Sequence, residues 1–332
     1  MTTVGRKADH LRIAAGPDVA HASGTGFERL RLRHRALPQR DLAGVSLETE
    51  LLGARLGAPL IVSAMTGGTE EAAVINARLA RAACEHRLGL VLGSGRALLE
   101  DPSLLSTYRS ADRSPLLLGN LGAAQVRLRD APGRAAWLID LLGADGLTIH
   151  LNPIQEAVQP EGEPQFADVV ESIAAVVEHL APLPVVVKEV GFGMDGADVT
   201  LLREAGVAAV DVAGAGGTNW ALVEGCREES AGQVAAAFAD WGVPTADALV
   251  EARAAAPELP LIASGGLRDG VDAAKALALG ASAAGLARVF LLGARADTTS
   301  ETAATLVHQL RIAVWATGAA SASELSPAHL RQ

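Results

Sequence analysis

The sequence predicts an α/β protein, a (β/α)8 barrel of the TIM type, and three observations carry this prediction. Eight short apolar runs recur along the chain, each run ends in glycine or polar residues, and the segments between the runs carry helix signals. Near-continuous apolar strands that alternate with helices are typical of a buried parallel sheet, and eight such units suggest closure into a barrel. A doubly wound open sheet is the alternative, but no early G-x-G-x-x-G fingerprint supports it.

The predicted strands are taken in chain order, each with the glycine or polar residues that end it. They are Leu60–Ala64 before Met65–Gly68, Leu90–Leu92 before Gly93–Arg96, Leu116–Leu118 before Gly119–Gly122, Gly146–Asn152, Val185–Glu189, Ala209–Gly214, Leu261–Gly266 and Ala283–Arg288. Helices are predicted between them, for example over Glu71–His86, Phe166–His179 and Arg268–Leu279, the last with Gly280 as its stop signal. We therefore expect residues 59–332 to form the barrel and residues 1–58 to form an N-terminal extension.

Composition excludes several classes of function. The 332 residues hold 28 Lys+Arg against 38 Asp+Glu, a formal charge of −10, which argues against a general nucleic-acid binder. Hydrophobic residues make up 49% of the chain, enough for a large core. Two distant cysteines, Cys84 and Cys226, and an N-terminus interrupted by charges suggest a reducing cytoplasm without a signal peptide. The apolar run 276–294 contains glycines and reads as a helix end, a turn, a strand and a new helix, not as a membrane span.

Basic residues concentrate near the N-terminus. The segment Arg29–Arg35 alternates arginine with leucine or histidine at strict period two, so a strand here would place four arginines on one face. Two interpretations stay open: a solvated strand face, or a collar that attracts an anionic ligand.

Glycine-rich turns follow three late strands. They are Gly214–Asn219, Ser264–Arg268 and Gly285–Arg288. Barrels often bind phosphate at such late strand ends, because bare glycine backbone lets N–H groups approach the anion. The alternative is that the glycines only make tight turns.

The early strand ends offer contacts for a planar ring. Ala64–Gly68, Ser94 and Asn120 can donate and accept hydrogen bonds to a ring edge, and Lys188 ends the fifth strand after three valines. Burying a lysine there would be costly unless its ammonium faced an anion or a polar group. The alternative to a functional role is a structural ion pair with Glu189 or another acid. Together with the glycine turns these residues predict a flavin mononucleotide (FMN) site, in which Lys188 stabilises negative charge on the reduced ring.

The fourth unit carries the densest set of polar groups. The segment His150–Gly162 holds Asn152, Gln155 and Glu156, and Pro153 and Pro160 restrict its loop. Glu156 is a hard oxygen ligand of the kind that Mg2+ uses together with substrate phosphates. A set of solvated loop side chains is the alternative.

These segments together resemble type 2 isopentenyl-diphosphate delta-isomerase. The resemblance rests on Arg6-Lys7-x-x-His10, Ala64–Gly68, the specific His150–Gly162 run, Lys188–Gly193 and Gly216–Trp220, and it spans residue 6 to about residue 290. It implies a (β/α)8 flavoprotein that needs reduced FMN and Mg2+, takes NADPH as reductant and assembles as a homotetramer or octamer. The implied reaction is the redox-neutral conversion of isopentenyl diphosphate to dimethylallyl diphosphate.

The resemblance also assigns roles to individual residues. It places Arg6 and Lys7, with His10 nearby, at the substrate diphosphate; His150, Asn152 and Gln155 along the substrate; Glu156 at Mg2+; and Ala64, Met65, Thr66, Ser94, Asn120, Lys188, Thr218, Gly265, Gly266, Leu267 and Ala287 at FMN. Two positions depart from the family pattern. Gly95 stands where the family often has Gln, and Ala213, where it often has Ser, removes a hydroxyl near the FMN phosphate.

The implied mechanism is a 1,3-proton shift that passes through cationic character at a tertiary carbon. An electron-rich reduced flavin can stabilise that charge, and no side chain here is acidic enough to protonate an alkene readily. The competing enzyme hypothesis is an FMN oxidoreductase of the hydroxy-acid oxidase or dihydroorotate dehydrogenase kind, for which an obvious redox acid/base pair is missing. A flavin-binding scaffold without activity is the non-enzyme alternative.

Overall fold

A closed barrel of eight parallel strands forms the body of the protein, which confirms the predicted fold. The structure is a computed structural model and describes residues 3–16 and 19–331. Residues 1, 2, 17 and 18 of the predicted N-terminal extension and residue 332 of the predicted barrel segment lie outside the described residues.

The strands of the described chain are numbered in order. They are β1 (Arg31–Leu32), β2 (Thr49–Leu51), β3 (Ala54–Leu56), β4 (Leu60–Val62), β5 (Gly89–Val91), β6 (Leu116–Gly122), β7 (Gly146–Leu151), β8 (Val185–Glu189), β9 (Ala209–Asp211), β10 (Leu261–Ala263), β11 (Ala283–Leu286) and β12 (Leu330–Arg331). β4 to β11 pair in chain order and β11 closes on β4, so all eight predicted barrel strands are present.

The α-helices follow the same order. They are α1 (Thr3–Ala14), α2 (Glu70–Glu85), α3 (Arg96–Glu100), α4 (Ala123–Val126), α5 (Ala131–Leu142), α6 (Pro153–Val158), α7 (Val169–Leu180), α8 (Gly196–Glu204), α9 (Trp220–Arg227), α10 (Glu229–Ala236), α11 (Thr245–Ala255), α12 (Gly270–Ala278), α13 (Arg288–Ala296) and α14 (Thr299–Thr317). Side-chain caps mark where several helices begin. The side chains of Thr69, Asp195 and Asp269 accept hydrogen bonds from backbone N–H groups in the first turns of α2, α8 and α12.

The strands bury both of their faces. Alternate residues such as Leu60 and Val62 pack against the helices, whereas Ile61 faces the barrel interior. The β2–β3 hairpin contributes Leu51 and Leu56 to that interior cluster and so closes the barrel at the N-terminal ends of its strands. The opposite end stays open, which is where barrels of this type place their reactive groups.

The strand considered for Arg29–Arg35 forms only at Arg31–Leu32, so the four arginines do not share one strand face. Arg29 ends a short 3-10 helix, and only Arg31–Leu32 pairs, because the partner strand β12 is itself two residues long. Arg29 donates to Asp247 at 2.6 and 2.7 Å, and Arg33 donates to the carbonyl of Leu330 at 2.9 Å. None of the four arginines is among the described residues that line the large cavity of the barrel, so the collar hypothesis finds no support.

The apolar run 276–294 divides as predicted into the end of α12, the strand β11 and the start of α13. Among the helices that the structure describes, none combines the length and apolarity that crossing a membrane requires.

The hairpin that closes the barrel makes a stability prediction. Leu56 is fully buried, so Leu56→Ala leaves a cavity and should lower the free energy of unfolding by about 2–5 kcal/mol, measured by denaturant titration. Leu37→Ala is the matched control, because Leu37 is 78% exposed and its truncation should change the free energy by less than about 0.5 kcal/mol. Equal effects of the two substitutions would show that the hairpin does not close a packed core.

Candidate functional site

A cavity of about 540 Å3 opens at the C-terminal ends of the barrel strands. Its volume lies in the range typical of cofactor and substrate sites. Every residue to which the sequence assigns a role lines it. These are Arg6, Lys7, His10, Ala64, Met65, Thr66, Ser94, Asn120, His150, Asn152, Gln155, Glu156, Lys188, Thr218, Gly265, Gly266, Leu267 and Ala287. The structure thus brings the predicted substrate, metal and flavin residues into one space, while their individual roles stay predictions.

Two glycine turns interlock on one side of the cavity. A Cβ on Gly217, after β9, would lie 2.5 Å from the backbone nitrogen of Gly266, and a Cβ on Gly265, after β10, would lie 2.1 Å from the carbonyl oxygen of Gly214. Gly265 and Gly266 also have φ angles of +99° and +76°, a region that favours glycine. The turns are therefore tight, as the alternative interpretation supposed, and they also present backbone to the cavity, as an anion site requires.

The segment after β4 carries polar atoms that lack partners among the described residues. The hydroxyls of Ser63 and Thr66 are buried, line the cavity and make no hydrogen bond within the described chain. Buried polar atoms are normally satisfied, so orphan hydroxyls at a cavity wall fit a site that a polar ring edge completes. Together with the glycine turns and Lys188, they make the residues present a good fit for FMN.

Lys188 faces polar groups inside the barrel. It is buried and lies in register with His150 on β7 and Asp211 on β9. Its Nζ donates to the carbonyl of Glu189, whereas one carboxylate oxygen of Glu189 accepts four backbone N–H groups from residues 190–193, at 2.5 to 3.3 Å. The carboxylate of Glu189 is thus engaged by backbone, and the expected alternative of a Lys188–Glu189 ion pair is not what the structure shows.

His150 is held as a neutral ring. Its Nδ1 lies 2.7 Å from Oδ1 of Asn120, a contact in which the ring nitrogen donates. Burial lowers the pKa of His150 to about 3, helped by the positive charges of Lys188 and Lys7. The imidazole is therefore available as a hydrogen-bonding wall of the cavity and not as a general acid near neutral pH.

A buried carboxylate that sequence reasoning missed connects the predicted substrate residues. Glu224, on α9, is fully buried and accepts hydrogen bonds from His10 at 2.8 Å and Gln155 at 2.7 Å, and it pairs with Arg227. Burial opposes its ionisation, but these hydrogen bonds prevail and the pKa of Glu224 is lowered. In the sequence Glu224 and Arg227 read as an ordinary i,i+3 surface pair, so nothing there marked Glu224 as the link between α1 and α6.

The N-terminal helix covers part of the cavity. Gln159 takes the amide orientation in which its oxygen accepts from Arg6 at 2.8 Å and its nitrogen donates to Glu224 at 3.2 Å. The ring of His10 meets that of Trp220 edge to face, with centroids 5.3 Å apart. Arg6, Lys7 and His10 are thereby presented to the cavity from above the strand ends.

Glu156 provides a single carboxylate to the same space. Asn152 donates to one of its oxygens at 2.9 Å and the backbone N–H of Glu163 donates to the other at 2.7 Å. In the described part of the chain no three His, Cys, Asp or Glu side chains gather in a metal-binding group. Mg2+ keeps several waters and is commonly held by one or two carboxylates and substrate phosphates, so Glu156 fits a metal that arrives with a diphosphate.

The two departures from the family pattern have structural consequences. A Cβ on Gly95 would lie 2.7 Å from a methyl group of Leu138, so that leucine occupies the space beside Gly95. Ala213 has φ +37°, a left-handed conformation that is strained for a residue with a side chain, and it lies directly before the glycine turn.

Comparisons with known proteins agree with this geometry. The family model described as FMN-dependent dehydrogenase matches residues 121–332. A protein of Xanthobacter autotrophicus named isopentenyl-diphosphate delta-isomerase is 49% identical, covering 96% of this chain and 95% of its own length. Proteins of the same name from Nostoc sp. and Stutzerimonas stutzeri are 45% and 46% identical, covering 97% and 99% of this chain and 94% and 97% of theirs.

Solved structures share the fold at low identity. A flavocytochrome b2 variant with benzoylformate has a TM-score of 0.70 at 18% identity, covering 98% of this chain and 82% of its own. A mandelate oxidase variant with an FMN adduct has a TM-score of 0.63 at 22% identity, covering 97% and 91%. At these identities the likeness concerns the fold alone.

The lowered pKa of His150 makes a titration prediction. Because the ring is neutral in the folded protein, its nitrogen-15 resonances should stay constant from pH 8 to about pH 5 and report a proton on Nδ1. The unfolded chain binds a proton on this residue below about pH 6.5, so this group's contribution to stability is lost as the pH falls from there toward 3. A His150 resonance that titrates near pH 6.5 would contradict the buried, neutral ring.

Proposed function

The chain belongs to the FMN-dependent dehydrogenase family and to the isopentenyl-diphosphate delta-isomerases, and we propose that it interconverts isopentenyl and dimethylallyl diphosphate with reduced FMN and Mg2+. In this reaction a proton adds to the terminal methylene carbon and another leaves C2, so atoms and electrons balance without net oxidation. The relatives, 39–49% identical over nearly their full length, support the reaction.

One observation carries the proposal. A single cavity joins the interlocked glycine turns, which suit a phosphorylated cofactor, to a carboxylate, an amide pair and a basic helix, which suit a metal-bound diphosphate. Two separate anion sites in one cavity fit a phosphorylated cofactor and a phosphorylated substrate that occupy it together. A hydroxy-acid oxidoreductase, the competing hypothesis, would use basic groups for its substrate carboxylate but has no evident use for an acidic side chain such as Glu156 beside them.

The residues that would hold FMN are those of the glycine turns and of the early strand ends. Gly265, Gly266, Leu267, Thr218 and Ala287 offer backbone and hydroxyl groups to a phosphate, and Ala64, Met65, Thr66, Ser94 and Asn120 line the opposite wall. Lys188 would place its positive charge near a reduced, anionic ring. When bound in its reduced form, FMN supplies an electron-rich surface that stabilises cationic character in the substrate.

The protein's own contribution is orientation. Glu224 fixes Gln155 at 2.7 Å, and Asn152 donates to Gln155 at 3.1 Å and to Glu156 at 2.9 Å, so these amides have set directions before substrate arrives. His150 stays neutral and does not add a positive charge beside a developing carbocation. Preorganised groups of this kind need no rearrangement at the moment of reaction.

The diphosphate would be held from two sides. Glu156 would bind Mg2+ on the diphosphate, and Arg6 and Lys7, with His10 nearby, would contact the same anion from the N-terminal helix. The proposal further includes NADPH as reductant, a homotetramer or octamer and a cytoplasmic location, all of which rest on the family resemblance.

The proposed function predicts catalysis without consumption of reductant. Under anaerobic conditions, one equivalent of reductant per bound FMN should support many turnovers of isopentenyl diphosphate, because the flavin is not oxidised by the reaction. In deuterated water the product should gain solvent deuterium, and the oxidised holoenzyme should be inactive. Product can be followed by NMR and reductant by absorbance.

The same assay distinguishes the competing hypothesis. An oxidoreductase changes the redox state of its flavin once for each product that it forms, so it needs a stoichiometric oxidant or reductant, and a scaffold binds flavin without turning over any isoprenoid substrate. Either result, or isomerisation at full rate by oxidised enzyme, would contradict the proposed function.

A second prediction concerns the metal. Glu156→Gln keeps the size of the side chain but removes the charge that a hard cation prefers, so turnover should fall by about 10²-fold or more and the Mg2+ requirement should rise. FMN content, read from the visible spectrum, should be unchanged. Glu163→Gln is the matched control, because the Glu163 carboxylate pairs with Arg96 at 3.2 Å instead. Unchanged Mg2+ dependence in Glu156→Gln would remove Glu156 from the metal site.

A further inference from the structure

We propose that Tyr108 is a positioning residue for the substrate diphosphate: its hydroxyl holds the Lys7 ammonium at the mouth of the cavity. The proposal rests on the proposed function in one respect, namely that Lys7 contacts the substrate's anion. It concerns a residue to which neither the sequence motifs nor the cavity lining assigns a role.

Three short hydrogen bonds form a closed triangle. Lys7 donates to the carbonyl of Ser94 and to the hydroxyl of Tyr108, both at 2.6 Å, and that hydroxyl donates to the same carbonyl at 2.7 Å. The Tyr108 hydroxyl thus accepts from Lys7 and donates to Ser94, which uses both of its capacities in fixed directions. An ammonium has three donors, so the triangle leaves Lys7 one N–H for an anion in the cavity that it lines.

The phenol ring is buried and packed against the barrel wall. Tyr108 is 1% exposed and follows the 3-10 helix Pro102–Thr107, whose start Asp101 caps at Ser103. Its ring lies so close to Gly67 that a Cβ there would come within 2.0 Å of it. Because Gly67 belongs to the segment after β4, Tyr108 links the barrel wall to α1, across 101 residues of sequence.

The charges around Lys7 make its ammonium sensitive to this contact. Burial, together with the positive charges of Arg6 on α1 and Arg96 on α3, lowers the pKa of Lys7 to about 7, while Glu100 on α3 opposes this shift. The charge of Lys7 also reaches the neutral ring of His150 on β7, whose pKa it helps to lower. The hydroxyl oxygen of Tyr108 is an acceptor for the charged form, so losing it should favour the neutral amine.

The test is a double-mutant cycle on the FMN-loaded enzyme. Tyr108→Phe removes only the hydroxyl and should raise the KM for isopentenyl diphosphate about tenfold, with kcat changed less than about twofold, because a hydrogen bond to a charged group is lost. Lys7→Met should raise KM at least as much. Adding Tyr108→Phe to Lys7→Met should then have little further effect, since the two residues act through one contact. Equal effects of Tyr108→Phe in both backgrounds would overturn the proposal.

The pH profile separates positioning from a structural role. In wild type, KM should rise as the pH increases through the Lys7 pKa, and this rise should be absent in Lys7→Met. In Tyr108→Phe the rise should begin at lower pH, because the amine loses its proton more readily. A profile unchanged by Tyr108→Phe would show that the hydroxyl does not act on Lys7.

One measurement needs neither turnover nor a Tyr108 variant. Tyr108 is the only tyrosine of the chain, so a protein labelled with carbon-13 at the tyrosine ζ position gives a single resonance. Inorganic diphosphate added to the holoprotein should shift that resonance in wild type and not in Lys7→Met. A missing wild-type shift despite bound diphosphate would overturn the proposal, whereas a shift in a protein that turns over no isopentenyl diphosphate would overturn the proposed function alone.

Discussion

The backbone contact between the glycine turns after β9 and β10 is the constraint on which the rest of the site depends. A Cβ on Gly217 would lie 2.5 Å from the nitrogen of Gly266, and a Cβ on Gly266 would lie 2.6 Å from the carbonyl of Gly216. Thr245 reinforces the contact by donating to the carbonyl of Gly265 at 2.5 Å. The N-terminal extension follows the same turn, since the N–H of His21 donates to the carbonyl of Gly217 at 2.9 Å. The contact between the two glycine turns therefore shapes one wall of the cavity. It also determines where the N-terminal segment that covers the cavity can lie.

Charge in the cavity is arranged in two groups that serve different ends. Lys188 lies deep, in register with Asp211, whose carboxylate accepts from Ser264 at 2.7 Å. The second group lies at the mouth, where Glu224 binds His10 of α1 and Gln155 of α6, and where Tyr108 holds Lys7. A deep cation suits a bound ring, whereas basic groups at the mouth suit an anion that enters and leaves, and this separation is consistent with cofactor and substrate in one space.

Much of the fold and the site could be predicted because both depend on local patterns. Barrel strands are short apolar runs that end in glycine or polar residues, and the fold places those ends together, so residues as distant as Ser94 and Gly265 meet in one cavity. Glu224 and Tyr108 could not be predicted, since their roles arise only when helices far apart in sequence pack together. The Arg29–Arg35 strand failed for a related reason: alternation indicates a possible strand, but its length depends on a partner, and β12 offers two residues.

The central claim is that the interlocked turns form a phosphate cradle for FMN, and affinities for FMN and riboflavin in Gly266→Ala test it most directly. Gly133→Ala is the control, because a Cβ at Gly133 meets no atom within 4 Å. Riboflavin lacks the phosphate, so wild type should bind FMN far more tightly, and Gly266→Ala, which displaces the turn backbone, should weaken FMN binding at least about tenfold more than it weakens riboflavin binding. An unchanged ratio of the two affinities in Gly266→Ala would show that the turns do not hold the phosphate.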